Sequence, residues 1–297
     1  MTTPPTLLVT GANGQLGRLV VEHLLDTVKV EPSRIIATTR NPAKLADFAA
    51  RGVTVRAADF AKPETLAEAF KGADRLLLIS TTSVGTRLVE HQAAIDAAVA
   101  AGVQHVLYTS IPNPVAPELL IVHDHAKTED ALAASQLPGW TVLRNNWYFE
   151  NLNHTIPQLL QSGQWFNASG DGRIAYIARS DLARAAATAL ANGDNGKSAL
   201  TLGGATAYTV PELAALIGST LGGEIAAIPV TVPHLEQGMI GAGLPAPVAA
   251  VLSSAEIHIA NGRLGDVSGD YRALTGAEPQ SLESWLVANK AALAKAA

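Results

Sequence analysis

The chain has 297 residues, enough for one large domain or two modest ones. Its net charge of −5, without any basic run, argues against a general nucleic-acid binder, and its lack of cysteine excludes disulfides, thiolate catalysis and cysteine-held zinc or iron–sulfur. Apolar residues make up 48% of the chain, so a sizeable core is available.

Met1-Thr2-Thr3-Pro4-Pro5 lacks the basic start and apolar core of a signal peptide. No apolar stretch is long enough to cross a bilayer. The expectation is a soluble cytoplasmic protein.

In chain order, a strand predicted at 7–10 runs into Thr10-Gly11-Ala12-Asn13-Gly14-Gln15-Leu16-Gly17. An amphipathic helix, 18–26, runs out of it. Glycines between a strand and a helix let backbone amides approach a pyrophosphate, and the helix N-terminus adds partial positive charge. Gly11, Asn13, Gly14, Gln15, Leu16 and Gly17 are therefore candidate cofactor residues. An ordinary glycine-rich turn is the plain alternative, which the flanking elements disfavour. The spacing is G-x-x-G-x-x-G, not the commoner G-x-G-x-x-G.

Strands are next predicted at 34–39, 53–57, 75–80, 103–109 and 140–143. Helices between them fall at 42–50, 63–70, 86–101 and 124–135. The strands are short continuous apolar runs, the mark of burial on both faces. Such alternation predicts an α/β fold: a doubly wound parallel sheet with ligands beyond its carboxyl ends. Residues 1–150 form the expected dinucleotide-binding domain. Residues 151–297 form a smaller, mostly helical lobe over the crevice, with about 174–203 returning to the sheet domain. Within it, Ser180-Asp181 reads as a cap on a helix at 182–191. Thr209-Val210-Pro211-Glu212 reads as a capping box, with strands at 199–202 and 224–230.

Strand two ends in Thr39-Arg40-Asn41-Pro42-Ala43-Lys44, with no acid for a ribose 2′-hydroxyl. Arg40 and Lys44 would suit a 2′-phosphate, which favours NADPH over NADH. A solvated Arg-Lys pair is the alternative. Asp59 and Phe60 would border the adenine. Ile79, Ser80 and Thr81 would skirt the nicotinamide ribose, and Thr109 would lie near the nicotinamide. Asn145 and Asn146 would satisfy its carboxamide. His123-Asp124-His125 invites a metal reading, but no third and fourth ligands accompany the pair; no metal is expected.

These segments resemble, in order, those of NmrA-like atypical short-chain dehydrogenases, especially type 2 NAD(P)H:quinone oxidoreductases and the related triphenylmethane reductases. The segments are Gly11 to Gly17, Thr39 to Pro42, Leu107-Tyr108-Thr109-Ser110, His125-Ala126-Lys127-Thr128-Glu129 and Leu143-Arg144-Asn145-Asn146-Trp147-Tyr148-Phe149-Glu150-Asn151. The resemblance spans almost the whole chain. It implies a Rossmann fold, NADPH at the glycine turn and a quinone or related planar small molecule as hydride acceptor. It brings no Tyr-x-x-x-Lys pair: alignment on Glu129 puts Ile121 and His125 in those places. His125, Lys127 and Tyr148 are the candidate catalytic groups, and Lys127 could also reach a cofactor ribose. Ser110, Trp147, Tyr148 and Phe149 are candidate substrate contacts. A reductase of a carbonyl, imine or dye, and a non-catalytic NADP(H)-sensing regulator, are the alternatives. The sequence leaves the oligomeric state open, a homo-oligomer included.

Overall fold

A computed structural model describes residues 4–83, 85–116 and 122–295. The first half is β1 (Leu7–Val9), α1 (Gln15–Asp26), β2 (Ile35–Thr39), α2 (Ala46–Ala50), β3 (Thr54–Ala57), α3 (Leu66–Phe70), β4 (Arg75–Leu78), α4 (Arg87–Ala100), β5 (His105–Ser110), α5 (Val122–Ala134) and β6 (Gly139–Asn145). Then come α6 (Ile156–Ser162), β7 (Gln164–Asn167), α7 (Arg179–Asn192), β8 (Lys197–Leu202) and α8 (Val210–Leu221). The chain closes with β9 (Ala226–Pro229), α9 (Val232–Gly241), α10 (Ala246–Ala260), α11 (Asp270–Thr275) and α12 (Leu282–Lys295).

Seven strands form one all-parallel sheet in the order β3-β2-β1-β4-β5-β6-β8. β1, β2, β4 and β5 are buried at every position, which is why they read as unbroken apolar runs. One face packs under α1 and α7 through Val20, Leu24, Leu182 and Leu190. The other packs under α3, α4 and α5 through Phe70, Ile95 and Leu132. The strand order reverses between β1 and β4, so a crevice opens between the loops that leave them.

The lobe has its own core around Phe149, Tyr176, Leu213, Ile217 and Trp285. β7, which sequence did not suggest, pairs with β9 in a separate two-stranded parallel sheet. Thr209 and Glu212 form the capping box at α8, and Arg173 forks onto the Glu212 carboxylate. Asp181 is no cap. Helix α7 starts at Arg179, three residues before the expected 182, with Ala178 as its N-cap. The Asp181 carboxylate instead accepts from the Tyr271 hydroxyl and the Gln280 amide, tying α11 and the chain after it to α7.

Arg75 fastens the start of the central strand β4 to α7. Its buried guanidinium donates to the carbonyls of Leu190 (2.8 Å), Ala189 (3.1 Å) and Asp194 (3.3 Å), and to Asn195 Oδ1 (2.6 Å). These groups lie at the end of α7, where helix geometry leaves carbonyls without partners.

Candidate active site

The crevice has a volume of about 410 Å³ and is lined by residues leaving four adjacent strands. From the β1 turn come Gly11, Asn13 and Gly14, and from β2 Thr38, Thr39 and Arg40. From β3 come Ala58 to Ala61, including Asp59 and Phe60, and from β4 Ile79 to Ser83, including Ser80 and Thr81. Glu90 of α4 completes the wall. Sequence reading missed Glu90; one helical turn past the β4 loop, it occupies a position able to face the same crevice.

The turn is built for close backbone approach. Gly11 has φ +59°, open to glycine at little cost. A Cβ on Gly17 would stand 2.4 Å from Gly11 O and 2.8 Å from Ala12 Cα, so Gly17 lets α1 press against the turn. Helix α1 opens at Gly14 with no side-chain cap and no acid in its first turn. Its first amides, those of Gln15, Leu16 and Gly17, are thus left for an anion. The Gln15 side chain is exposed and that of Leu16 is in the core, so neither lines the crevice.

Arg40 is exposed at the crevice rim, and among the described residues no carboxylate pairs with it. The turn presenting it is pinned: Thr39 Oγ1 accepts the Asn41 amide and Asn41 Oδ1 accepts the Ala43 amide. Arg18, the other nearby guanidinium, is spent on the Asp47 carboxylate and the Lys44 carbonyl. Lys44 is exposed but outside the crevice lining, a correction to its pairing with Arg40. The polar rim and uncapped helix fit a dinucleotide phosphate, so Gly11 to Gly17 and Arg40 are the groups that would hold one.

Several expected contacts lie elsewhere. Thr109 sits one layer behind the wall, accepting the Ser80 amide and donating to Ser80 Oγ. Asn146 is committed: Nδ2 donates to the Leu264 carbonyl and Oδ1 accepts the Trp147 amide. Asn145, at the end of β6, keeps its Oδ1 buried without a hydrogen-bond partner and lies outside the crevice lining. Ser110 is buried and donates to Glu129, which also holds Arg144 through two hydrogen bonds.

Of the aromatics, Phe149 is buried in the lobe core, away from the crevice lining. Tyr148 packs against the α1/α7 side of the sheet with the Arg179 guanidinium 5.3 Å above its ring, and burial raises its pKa. A phenol so held is a poor proton donor. Trp147 is half-buried at the seam of sheet and lobe, beside Ile111, Val122 and Ala255, with Tyr176 edge-on at 6.3 Å.

The remaining catalytic candidates lie away from the crevice lining. Lys127 is exposed on the outer groove between α4 and α5, alongside Asp96 and Asp130. His125 is buried, with both ring nitrogens taken: Nδ1 by the Tyr108 hydroxyl at 2.7 Å, Nε2 by Arg87 at 3.3 Å. Burial and the neighbouring Arg87 and His91 lower its pKa to about 3. His123 and His125 lie in α5 rather than on a loop, and two helical positions apart they point to different sides. Ile121 lies outside the described residues.

A parallel sheet with a glycine turn, an uncapped helix and a cationic rim at its point of strand reversal defines a dinucleotide-binding α/β protein. A family model described as NAD(P)H-binding matches residues 11–193, and the chain belongs to that family. Quinone oxidoreductase 2 of Escherichia coli (strain K12) is 37% identical over 270 residues, spanning 91% of this chain and 93% of that protein. The crystal structure of the Escherichia coli NADPH-dependent quinone oxidoreductase complexed with NADPH matches with a TM-score of 0.89 at 36% identity, covering 94% of this chain and 98% of that one. Citrobacter sp. triphenylmethane reductase complexed with NADP(H) matches with a TM-score of 0.87 at 32% identity, covering 96% of this chain and 99% of that one. The resemblance carried by the motifs is borne out across nearly the whole chain.

Proposed function

We propose that this protein is an NADPH-dependent oxidoreductase that delivers a hydride to a quinone-like acceptor, in the cytoplasm. The observation that carries the reading is the crevice itself, with α1 opening uncapped and Arg40 at its rim without a carboxylate partner among the described residues. The amides would take the pyrophosphate, and Arg40 the 2′-phosphate that distinguishes NADPH from NADH. Bound there, the reduced nicotinamide supplies the hydride. The 37% identity to a quinone oxidoreductase supports the same acceptor class.

Among the described residues, the three candidate proton donors stand away from the crevice lining. His125 is buried and neutral, Tyr148 is turned to the core, and Lys127 is on the outer surface. Ketone reduction needs a proton as the alkoxide forms. A quinone that has taken up one hydride is a resonance-stabilised monoanion, which water can protonate afterwards. The protein's work is then to hold two planar rings in register. Trp147, at the seam between sheet and lobe, is the aromatic surface best placed to stack on the acceptor.

Steady-state oxidation of NADPH with a benzoquinone tests the reading, beside a panel of a ketone, an imine and a triphenylmethane dye. The expected result is turnover with the quinone. Rates no higher than the uncatalysed background with it would reject the proposal, and preference for another acceptor would replace the quinone.

A further inference from the structure

Beyond Leu78, where the β4 ladder ends, three consecutive amides are held by side chains from three different elements. Ile79 N–H donates to Thr10 Oγ1 at 3.0 Å, and Ser80 N–H to Thr109 Oγ1 at 2.9 Å. Thr81 N–H donates to His91 Nε2 at 3.1 Å. Thr81 is gripped a second time, because Arg87 Nε donates to its carbonyl at 2.7 Å. All three residues line the crevice, whereas His91 and Arg87 stand beneath it on α4.

The hydrogen bonds behind this grip run one way only. Since His91 Nε2 accepts, its Nδ1–H donates to Thr128 Oγ1 at 3.0 Å, and that hydroxyl donates to the Asp124 carbonyl at 2.7 Å. Arg87 Nη1 donates to His125 Nε2, so His125 Nδ1–H donates to the Tyr108 hydroxyl. Both imidazoles must be neutral for this pattern to close. Arg87 is costly for stability alone. It is buried, opens a helix where a cation is disfavoured, and among the described residues has no carboxylate partner.

We propose that His91 and Arg87 are positioning residues for the dinucleotide: they hold the Thr81 peptide from both sides and so fix the crevice wall that the cofactor meets. The inference rests on the crevice being the NADPH site.

Direct titration of NADPH against the whole protein tests it. His91→Ala and Thr128→Val, which break the same relay at two points, should each weaken the dissociation constant about five- to tenfold. Thr128→Val nearly keeps the side-chain shape and serves if His91→Ala does not fold. His91→Gln, which can both accept from Thr81 and donate to Thr128, should restore binding to within about twofold. Arg87→Met should weaken binding similarly, and adding it to His91→Ala should cost little more, because both arms act on one peptide. Folded variants with wild-type affinity, a His91→Gln protein as weak as His91→Ala, or penalties that multiply in the double variant would each overturn the proposal. A wild-type protein that does not take NADPH would overturn both this inference and the assignment of the crevice; wild-type binding with unaffected variants overturns this one alone.

Discussion

His125 Nδ1 stands 2.7 Å from the Tyr108 hydroxyl, a contact that turns the imidazole into the protein instead of toward the crevice. Burial holds His125 and His91 at about 3, against an ordinary value of 6.5, with Arg87 adding to the effect. Unfolding exposes both rings, so below about pH 6.5 the unfolded chain binds protons that the folded one refuses. Stability is full above that pH and declines as pH falls toward about 3, by up to about 1.4 kcal/mol per pH unit for each histidine. Urea denaturation between pH 8 and 4 should show this decline, and His125→Gln should flatten it. The pH–rate profile of the wild-type enzyme should show no inflection from His125 between pH 5 and 8.

Arg40→Ala removes the one guanidinium at the crevice rim that has no carboxylate partner among the described residues. Loss of hydrogen bonds to a charged phosphate should weaken NADPH roughly tenfold to a hundredfold. NADH, without that phosphate, should change by less than about twofold. Parallel fluorescence titrations give the comparison, and equal losses for both nucleotides would refute a 2′-phosphate contact.

Gly17→Ala should be far more damaging than Gly14→Ala. The new methyl group at 17 meets backbone at 2.4 Å and 2.8 Å, whereas at 14 the nearest atom is 3.2 Å away. Forcing α1 off the turn should cost about 1–3 kcal/mol and abolish saturable NADPH binding. Chemical denaturation and nucleotide titration of the two variants check this ordering.

Arg75→Met should destabilise the protein by about 3 kcal/mol, because the carbonyls at the end of α7 lose their buried donors. The site lies at the opposite end of β4 from the crevice, so NADPH affinity should stay within about twofold. Melting curves with and without nucleotide separate the two effects.

The sheet was legible because its central strands are buried apolar runs, each followed by a helix, and the glycine turn because its spacing is local. Crevice positions such as Arg40, Asp59 and Thr81 follow from strand order alone: they lie within three residues of strand ends. Side-chain direction was not legible. Tyr148 lies between Trp147 and Phe149 in sequence, yet it packs against the sheet core while both neighbours pack in the lobe, since a turn after β6 sends neighbours to opposite sides. His125 and Lys127 part company for a similar reason: on α5, helical rotation carries one ring inward and one amine outward. The grip of His91 on Thr81 spans 10 residues and has no motif. A cation opening α4, where helix electrostatics disfavour it, was the available clue to Arg87.

The seventh strand is supplied only after the polypeptide has left the sheet, built part of the lobe and come back. During synthesis β6, complete at residue 145, therefore waits for residues 197–202 with one edge unpaired. That interval leaves a nascent chain with an apolar template exposed to self-association. Refolding yield in the test tube should accordingly depend on protein concentration more steeply than native stability would suggest, and holdase chaperones should rescue it.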